Sequence, residues 1–123
     1  MSEKQTHLLI VDDDEPNRRL LRRMLRAQYK LSEARDVAEA IEILEKESSS
    51  IKLVLSDYLM PGKSGVELAE EVRRRWPSIQ TILLTGFKSD EVVRVSEDGT
   101  VCDVLVKPWR IANLREILEE RLG

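Results

Sequence analysis

The sequence predicts a doubly wound α/β domain: one five-stranded parallel sheet with five helices packed on both faces. Three observations predict it. Short apolar runs alternate with amphipathic stretches, strand then helix, five times along the chain. The apolar runs are continuous rather than alternating, which is the pattern of strands buried on both faces. A length of 123 residues, 41% hydrophobic and 35% charged, suits one hydrophobic core and one domain over residues 1–123.

His7 to Val11 (HLLIV) is the first buried strand. Glu15 to about Gln28 is a helix, with Leu21, Met24, Leu25 and Gln28 at helical spacing. Tyr29 to Ala34 is a weaker second strand. Asp36 caps a helix running to about Glu47 and turns Val37, Ala40, Ile41 and Leu44 inward. Ser48, Ser49 and Ser50 form a turn. Leu53 to Ser56 is the third strand, and Ser64 to Arg75 a helix whose Ser64 and Glu67 have capping-box spacing. Pro77 breaks the chain before the fourth strand, Ile79 to Leu84. Ser89 to about Glu97 is the fourth helix, Val101 to Val106 the fifth strand, and Arg110 to Leu122 the last helix. Crossovers between parallel strands are right-handed, and the flavodoxin-like order 2-1-3-4-5 follows. That order makes the first and third strands neighbours at the switch point, where ligands bind beyond the carboxyl ends.

Composition narrows the function classes. Twenty basic and 23 acidic residues leave a net charge of -3, and no separate recognition helix is apparent, so no direct nucleic-acid partner is expected. The start, MSEKQTH, is polar with no apolar signal core behind it, and no apolar run approaches a membrane span. A cytoplasmic location with no membrane partner is expected. Cys102 is the sole cysteine, so no intramolecular disulfide can form, and its place in an apolar strand makes it a bland buried thiol.

The polar residues collect where the strands end. Asp12, Asp13 and Asp14 follow the first strand, Asp57 the third, Thr85 the fourth, and Lys107, just before Pro108, the fifth. Each alone has an ordinary reading as a helix cap or turn residue. The topology brings them to one sheet edge. Clustered carboxylates repel and raise one another's pKa, a repulsion that a hard dication relieves; oxygen ligands of this kind suit Mg2+. A carboxylate can act as nucleophile and form an aspartyl phosphate. Phosphoryl transfer asks mainly for positioning and charge neutralisation. Lys107 can neutralise phosphate oxygens, and the Thr85 hydroxyl and backbone N–H groups can donate to them.

Four stretches carry a resemblance: VDDDEP, SDYLMPGKSG around Asp57, ILLTG ending at Gly86, and VLVKPW around Lys107. In this order and at these intervals, the chain resembles the receiver domain of two-component response regulators over essentially its whole length. The resemblance implies that Asp57 is the phosphoacceptor. It implies Mg2+ held by Asp13 directly, by Asp12 through water, by Asp57, and by the backbone carbonyl of Leu59. Thr85, with Gly86 beside it, becomes the hydroxyl switch, Lys107 the phosphate partner, and the Lys107–Pro108 bond cis. Pro61 and Gly65 shape the loop and the start of the next helix. The expected donor is a sensor histidine kinase or histidine phosphotransfer protein. The expected output is a population shift of the face made by the fourth helix, fifth strand and fifth helix, which then meets an output domain or a second copy. Such a protein is a switch rather than a turnover enzyme.

Two departures stand out. The aromatic residue that receivers usually carry three positions before the lysine is Val104 here. Leu59 and Phe87, two positions past Asp57 and Thr85, are both apolar, so slow self-dephosphorylation is expected. The run Arg18, Arg19, Arg22, Arg23, Arg26 reads as the solvated face of the first helix, with kinase docking as the second reading. His7, Trp76 and Trp109 read as structural. Two other functions compete. A phosphatase of the haloacid-dehalogenase type would use Asp12 and Asp14 as its D-x-D but leaves Asp57 idle. A degenerate receiver that only binds protein would not need Asp13, Asp57, Thr85 and Lys107 together. No G-x-G-x-x-G follows the first strand, against a dinucleotide site.

Overall fold

Strands that are apolar on both sides need cover on two faces, and the computed structural model, which describes residues 5–123, supplies it. Strands and helices alternate as β1 (Thr6–Val11), α1 (Glu15–Leu25), β2 (Tyr29–Ala34), α2 (Val37–Glu47), β3 (Ile51–Asp57), α3 (Gly65–Arg75), β4 (Gln80–Thr85), α4 (Asp90–Glu97), β5 (Asp103–Val106) and α5 (Ile111–Leu122). All neighbouring strands run parallel in the order β2-β1-β3-β4-β5, as the sequence predicts.

The two-residue period of a strand divides the core. Leu8 and Ile10 of β1 pack with Leu21 and Leu25 of α1 and with Leu114 and Leu118 of α5. Leu9 and Val11 turn the other way, onto Ala40 and Leu44 of α2 and Leu68 and Val72 of α3. A smaller cluster under α4 joins Tyr58, Val66, Ala69, Leu83, Val92, Val95 and Val101.

Local chemistry starts and stops the helices. Asp36 accepts from the N–H of Glu39, and Ser89 from that of Val92. Ser64 and Glu67 complete a reciprocal capping box at α3. α4 ends where Gly99 takes a left-handed φ of 84°, a conformation that costs glycine little. Several boundaries differ from the sequence expectation by one to three residues. β3 starts two residues early, at Ile51, which pairs with His7 across a register shift. β4 starts at Gln80, one residue late, because the Ile79 N–H closes a turn onto the Trp76 carbonyl. β5 starts late, at Asp103, because the Val101 N–H is taken by the Val95 carbonyl at the end of α4. α1 ends at Leu25, and the Gln28 N–H closes a turn onto the Leu25 carbonyl.

Candidate functional site

Ladder register decides which side chains meet. Val11 lies opposite Ser56, Asp57 opposite Leu84, and Thr85 opposite Val106. Asp12, Asp57, Thr85 and Lys107 therefore stand in a staggered row along the carboxyl edge of β1, β3, β4 and β5. Backbone bonds extend the row past the strands: the Tyr58 N–H reaches the Leu84 carbonyl at 3.0 Å, and the Lys107 N–H the Thr85 carbonyl at 2.7 Å.

Carboxylate oxygens of Asp12, Asp13 and Asp57 lie within 4.8 Å of one another. Asp12 is buried and Asp13 exposed. Lys107 Nζ lies 3.9 Å from Asp57 Oδ1. Burial pushes the Asp57 carboxyl above its ordinary pKa, with Asp12 adding to the rise and Lys107 opposing it. Burial also raises Asp12, against the Asp14 N–H, which donates to Asp12 Oδ1 at 2.9 Å. A hard dication fits this donor set. Three hard oxygens converge, two of them hold anionic charge at a desolvation cost, and no softer ligand stands among them.

Thr85 is buried, and its hydroxyl is tied into the β4–α4 connection: Oγ1 donates to the Phe87 carbonyl at 2.8 Å and accepts from the Phe87 N–H at 3.3 Å. Gly86 has no left-handed φ, and a Cβ there would meet nothing within 4 Å. The Lys107–Pro108 peptide is cis. Leu59 and Phe87 carry exposed side chains. Val104 is half-buried against the cluster under α4. Gly65 packs so tightly that a Cβ would stand 2.2 Å from the Asp57 carbonyl oxygen, so the residue after the cap of α3 has to lack a side chain.

One reading of the sequence needs revision, and one residue carries more than the sequence reveals. Arg18 is no part of a solvated face. Its side chain is 11% exposed, Nη1 donates to the Asp12 carbonyl at 2.6 Å, and Nε pairs with Glu33 at 3.5 Å. Arg22 joins it on Glu33 at 2.6 Å. The i, i+4 spacing of Arg18 and Arg22 held that signal, but only together with the β1–β2 pairing that brings Glu33 alongside. Tyr58 was not singled out at all. It is buried, donates to Glu91 Oε2 at 2.6 Å and accepts from Ser89 Oγ at 3.2 Å. The bond to Glu91 holds its phenol above the ordinary tyrosine pKa. His7 is structural as expected, with each ring nitrogen bonded to a serine hydroxyl, of Ser50 or Ser32.

Comparison with known proteins finds relatives of the same family and fold. The family model of the response regulator receiver domain matches residues 8–119. The hydrogenase transcriptional regulatory protein HoxA of Cupriavidus necator is 34% identical over 110 residues, 89% of this chain and 22% of that protein. The chain thus spans less than a quarter of that relative's length. A CheY-like response regulator receiver domain protein from Methanospirillum hungatei superposes with a TM-score of 0.89 at 28% identity, covering 97% of this chain and 94% of the other. A signal receiver domain of an HD domain-containing protein from Pseudomonas fluorescens gives 0.88 at 29% identity, over 97% and 95%.

Proposed function

This chain belongs to the response regulator receiver domain family, and on that premise we propose that it takes a phosphoryl group onto Asp57 and passes the change of shape to a partner. The observation that carries the proposal is the convergence of Asp12, Asp13 and Asp57 within 4.8 Å, with Lys107 at 3.9 Å from Asp57. The converging carboxylates include Asp57 rather than Asp14, which favours this reading over a D-x-D phosphatase.

In the proposed reaction, an Asp57 carboxylate oxygen attacks the phosphorus of a phosphohistidine on a sensor kinase or phosphotransfer protein. An O–P bond forms, the N–P bond breaks, and the imidazole leaves. Lys107 neutralises one phosphoryl oxygen, and the Thr85 hydroxyl and the Gly86 backbone N–H donate to others. Asp12, Asp13, Asp57 and the backbone carbonyl of Leu59 would hold Mg2+. When bound, the ion neutralises charge on the phosphoryl oxygens. Arg18 fixes the Asp12 backbone and so the position of the acidic pair.

The donor would dock on the groove of about 400 Å3 lined by Leu20, Met24, Lys107, Pro108, Trp109 and Ile111, which opens beside Lys107. The face of α4, β5 and α5 would meet an output domain or a second copy. We read residues 1–123 as one receiver acting as a switch, not a turnover enzyme, in the cytoplasm. Among the described residues no helix is long and apolar enough to cross a membrane. The exposed apolar side chains of Leu59 and Phe87 support slow hydrolysis of the acyl phosphate.

Incubation with Mg2+ and acetyl phosphate, followed by intact mass, tests the proposal. Wild type should gain one phosphoryl group that needs Mg2+, and Asp57→Asn should gain none. An adduct of equal yield on folded Asp57→Asn would refute it.

A further inference from the structure

A switch needs a link from the phosphoacceptor loop to the surface a partner reads. Val104 gives β5 neither ring nor hydroxyl, and it lines only a hollow of about 190 Å3 with Lys88, Val92, Val93, Ser96 and Glu97. The polar link beneath α4 starts one residue after Asp57 instead. The backbone of Tyr58 is fixed on both sides, its N–H on the Leu84 carbonyl at 3.0 Å and its carbonyl on the Gly65 N–H at 2.8 Å. Its hydroxyl donates to Glu91, in the first turn of α4, and accepts from Ser89, the residue that caps that helix. Its ring meets the Phe87 ring edge-on, with centroids 6.2 Å apart. Phe87 in turn carries the carbonyl that holds the Thr85 hydroxyl. Thr85, Phe87, Tyr58, Ser89 and Glu91 therefore form one unbroken set of contacts from the site to the start of α4.

We propose that Tyr58 is a positioning residue that latches α4 in the arrangement seen here, through its hydroxyl bond to Glu91, and that phosphorylation acts on α4 by loosening this latch. The proposal rests on the reading of Asp57 as phosphoacceptor. A Thr85 hydroxyl that turns to a phosphoryl oxygen must leave the Phe87 carbonyl. The connection that carries Phe87 and Ser89 is then free to shift, and both residues touch Tyr58. α4 buries only Val92 and Val95, so a charge-assisted bond at its first turn is a large part of what holds it. Linkage fixes the sign of the equilibrium effect: an interaction made only in the unphosphorylated arrangement disfavours the phosphorylated one, so removing it enlarges the population that phosphorylation favours. With acetyl phosphate reacting through that population, the adduct forms faster.

Tyr58→Phe keeps the ring and its packing and removes only the hydroxyl. It is compared with Glu91→Ala, with Glu91→Gln, and with the double variant of Tyr58→Phe and Glu91→Ala. Two readouts are taken: amide hydrogen exchange of Val92 to Val95, the first amides of α4 that are hydrogen-bonded, without phosphodonor, and the rate of phosphoryl adduct formation with acetyl phosphate and Mg2+. Tyr58→Phe and Glu91→Ala should each speed both by about five- to tenfold, the low end of ordinary coupling between sites. The double variant should do no more than either single one, because both remove the same bond. Glu91→Gln, which can still accept from the phenol but without the charge, should fall between wild type and Glu91→Ala. Unchanged α4 exchange in Tyr58→Phe, faster exchange shared equally by all helices, an unchanged adduct rate, or additive effects in the double variant would each overturn the latch. The two readings fail separately. No adduct on wild type refutes Asp57 as acceptor, whereas an adduct on wild type with unaltered α4 in the variants refutes Tyr58 alone.

Discussion

The face under α1 and α5 and the corner under α4 are held by different forces. On the first, Leu8, Ile10, Leu53, Leu55, Leu114 and Leu118 are all fully buried and interdigitate across the sheet. Beneath α4 the apolar residues around Leu83 are smaller, Val66, Ala69, Val92, Val95 and Val101, and polar bonds do part of the holding. Tyr58 binds Glu91 and Ser89, and Arg73 reaches the Asp98 carbonyl and Thr100 from α3. Close-packed leucines have no second arrangement of equal energy. A hydroxyl can exchange one acceptor for another at small net cost. The frame around Asp57 is thus stiff, whereas α4 hangs in part on exchangeable bonds.

Core truncation on the two sides breaks or sharpens that contrast. Leu55→Ala should lower unfolding free energy by about 4 kcal/mol and weaken hydrogen-exchange protection in every helix. Gly65→Ala, whose new methyl meets the Asp57 carbonyl oxygen, should cost about 2–3 kcal/mol in denaturant unfolding, since backbone must move to admit it. Val92→Ala should cost about 2 kcal/mol, with the loss of protection concentrated in α4. Equal loss in α1 and α5 would mean that the corner is no separate unit.

The acidic row has a smaller effect, and its sign is fixed. Burial raises Asp57 and Asp12 above the ordinary carboxylate pKa, so the folded protein holds those protons more tightly than the unfolded chain does. Their contribution to stability is complete below the unfolded pKa and is lost as pH rises through the folded values. Metal-free Asp57→Asn should therefore melt a few degrees above wild type at neutral pH. Added Mg2+ should raise wild type more than the variant, because the proposed donor set is assembled only in the folded chain. An Asn variant that melts below metal-free wild type would contradict this assignment of charge. Last, Gly86→Ala should change stability by no more than about 0.5 kcal/mol, since its backbone needs no glycine and its Cβ meets nothing.

The sequence made the sheet edge legible because strand ends are marked twice, by the close of an apolar run and by the polar residue that follows. Val11 to Asp12, Leu84 to Thr85, and Val106 to Lys107 are all of this kind. Starts of strands were harder. Nothing local to Val101 reveals that its N–H belongs to the end of α4. Side-chain partners across the fold were least legible. Glu33 is 15 residues from Arg18 and Glu91 is 33 from Tyr58, and each pair meets only once the sheet order is known. A run of arginines on an amphipathic helix looks solvated until a neighbouring strand supplies the carboxylate.

The central claim is that Asp57, and not an aspartate of the β1–α1 connection, receives the phosphoryl group. The most direct test is to phosphorylate the protein with acetyl phosphate and Mg2+, reduce it with borohydride, and map the product by peptide mass. Reduction converts an aspartyl phosphate to homoserine and leaves free carboxylates untouched. Homoserine at position 57 alone is the expected result. Homoserine at position 12, 13 or 14 would contradict the account, and at position 12 or 14 it would return the site to the phosphatase reading.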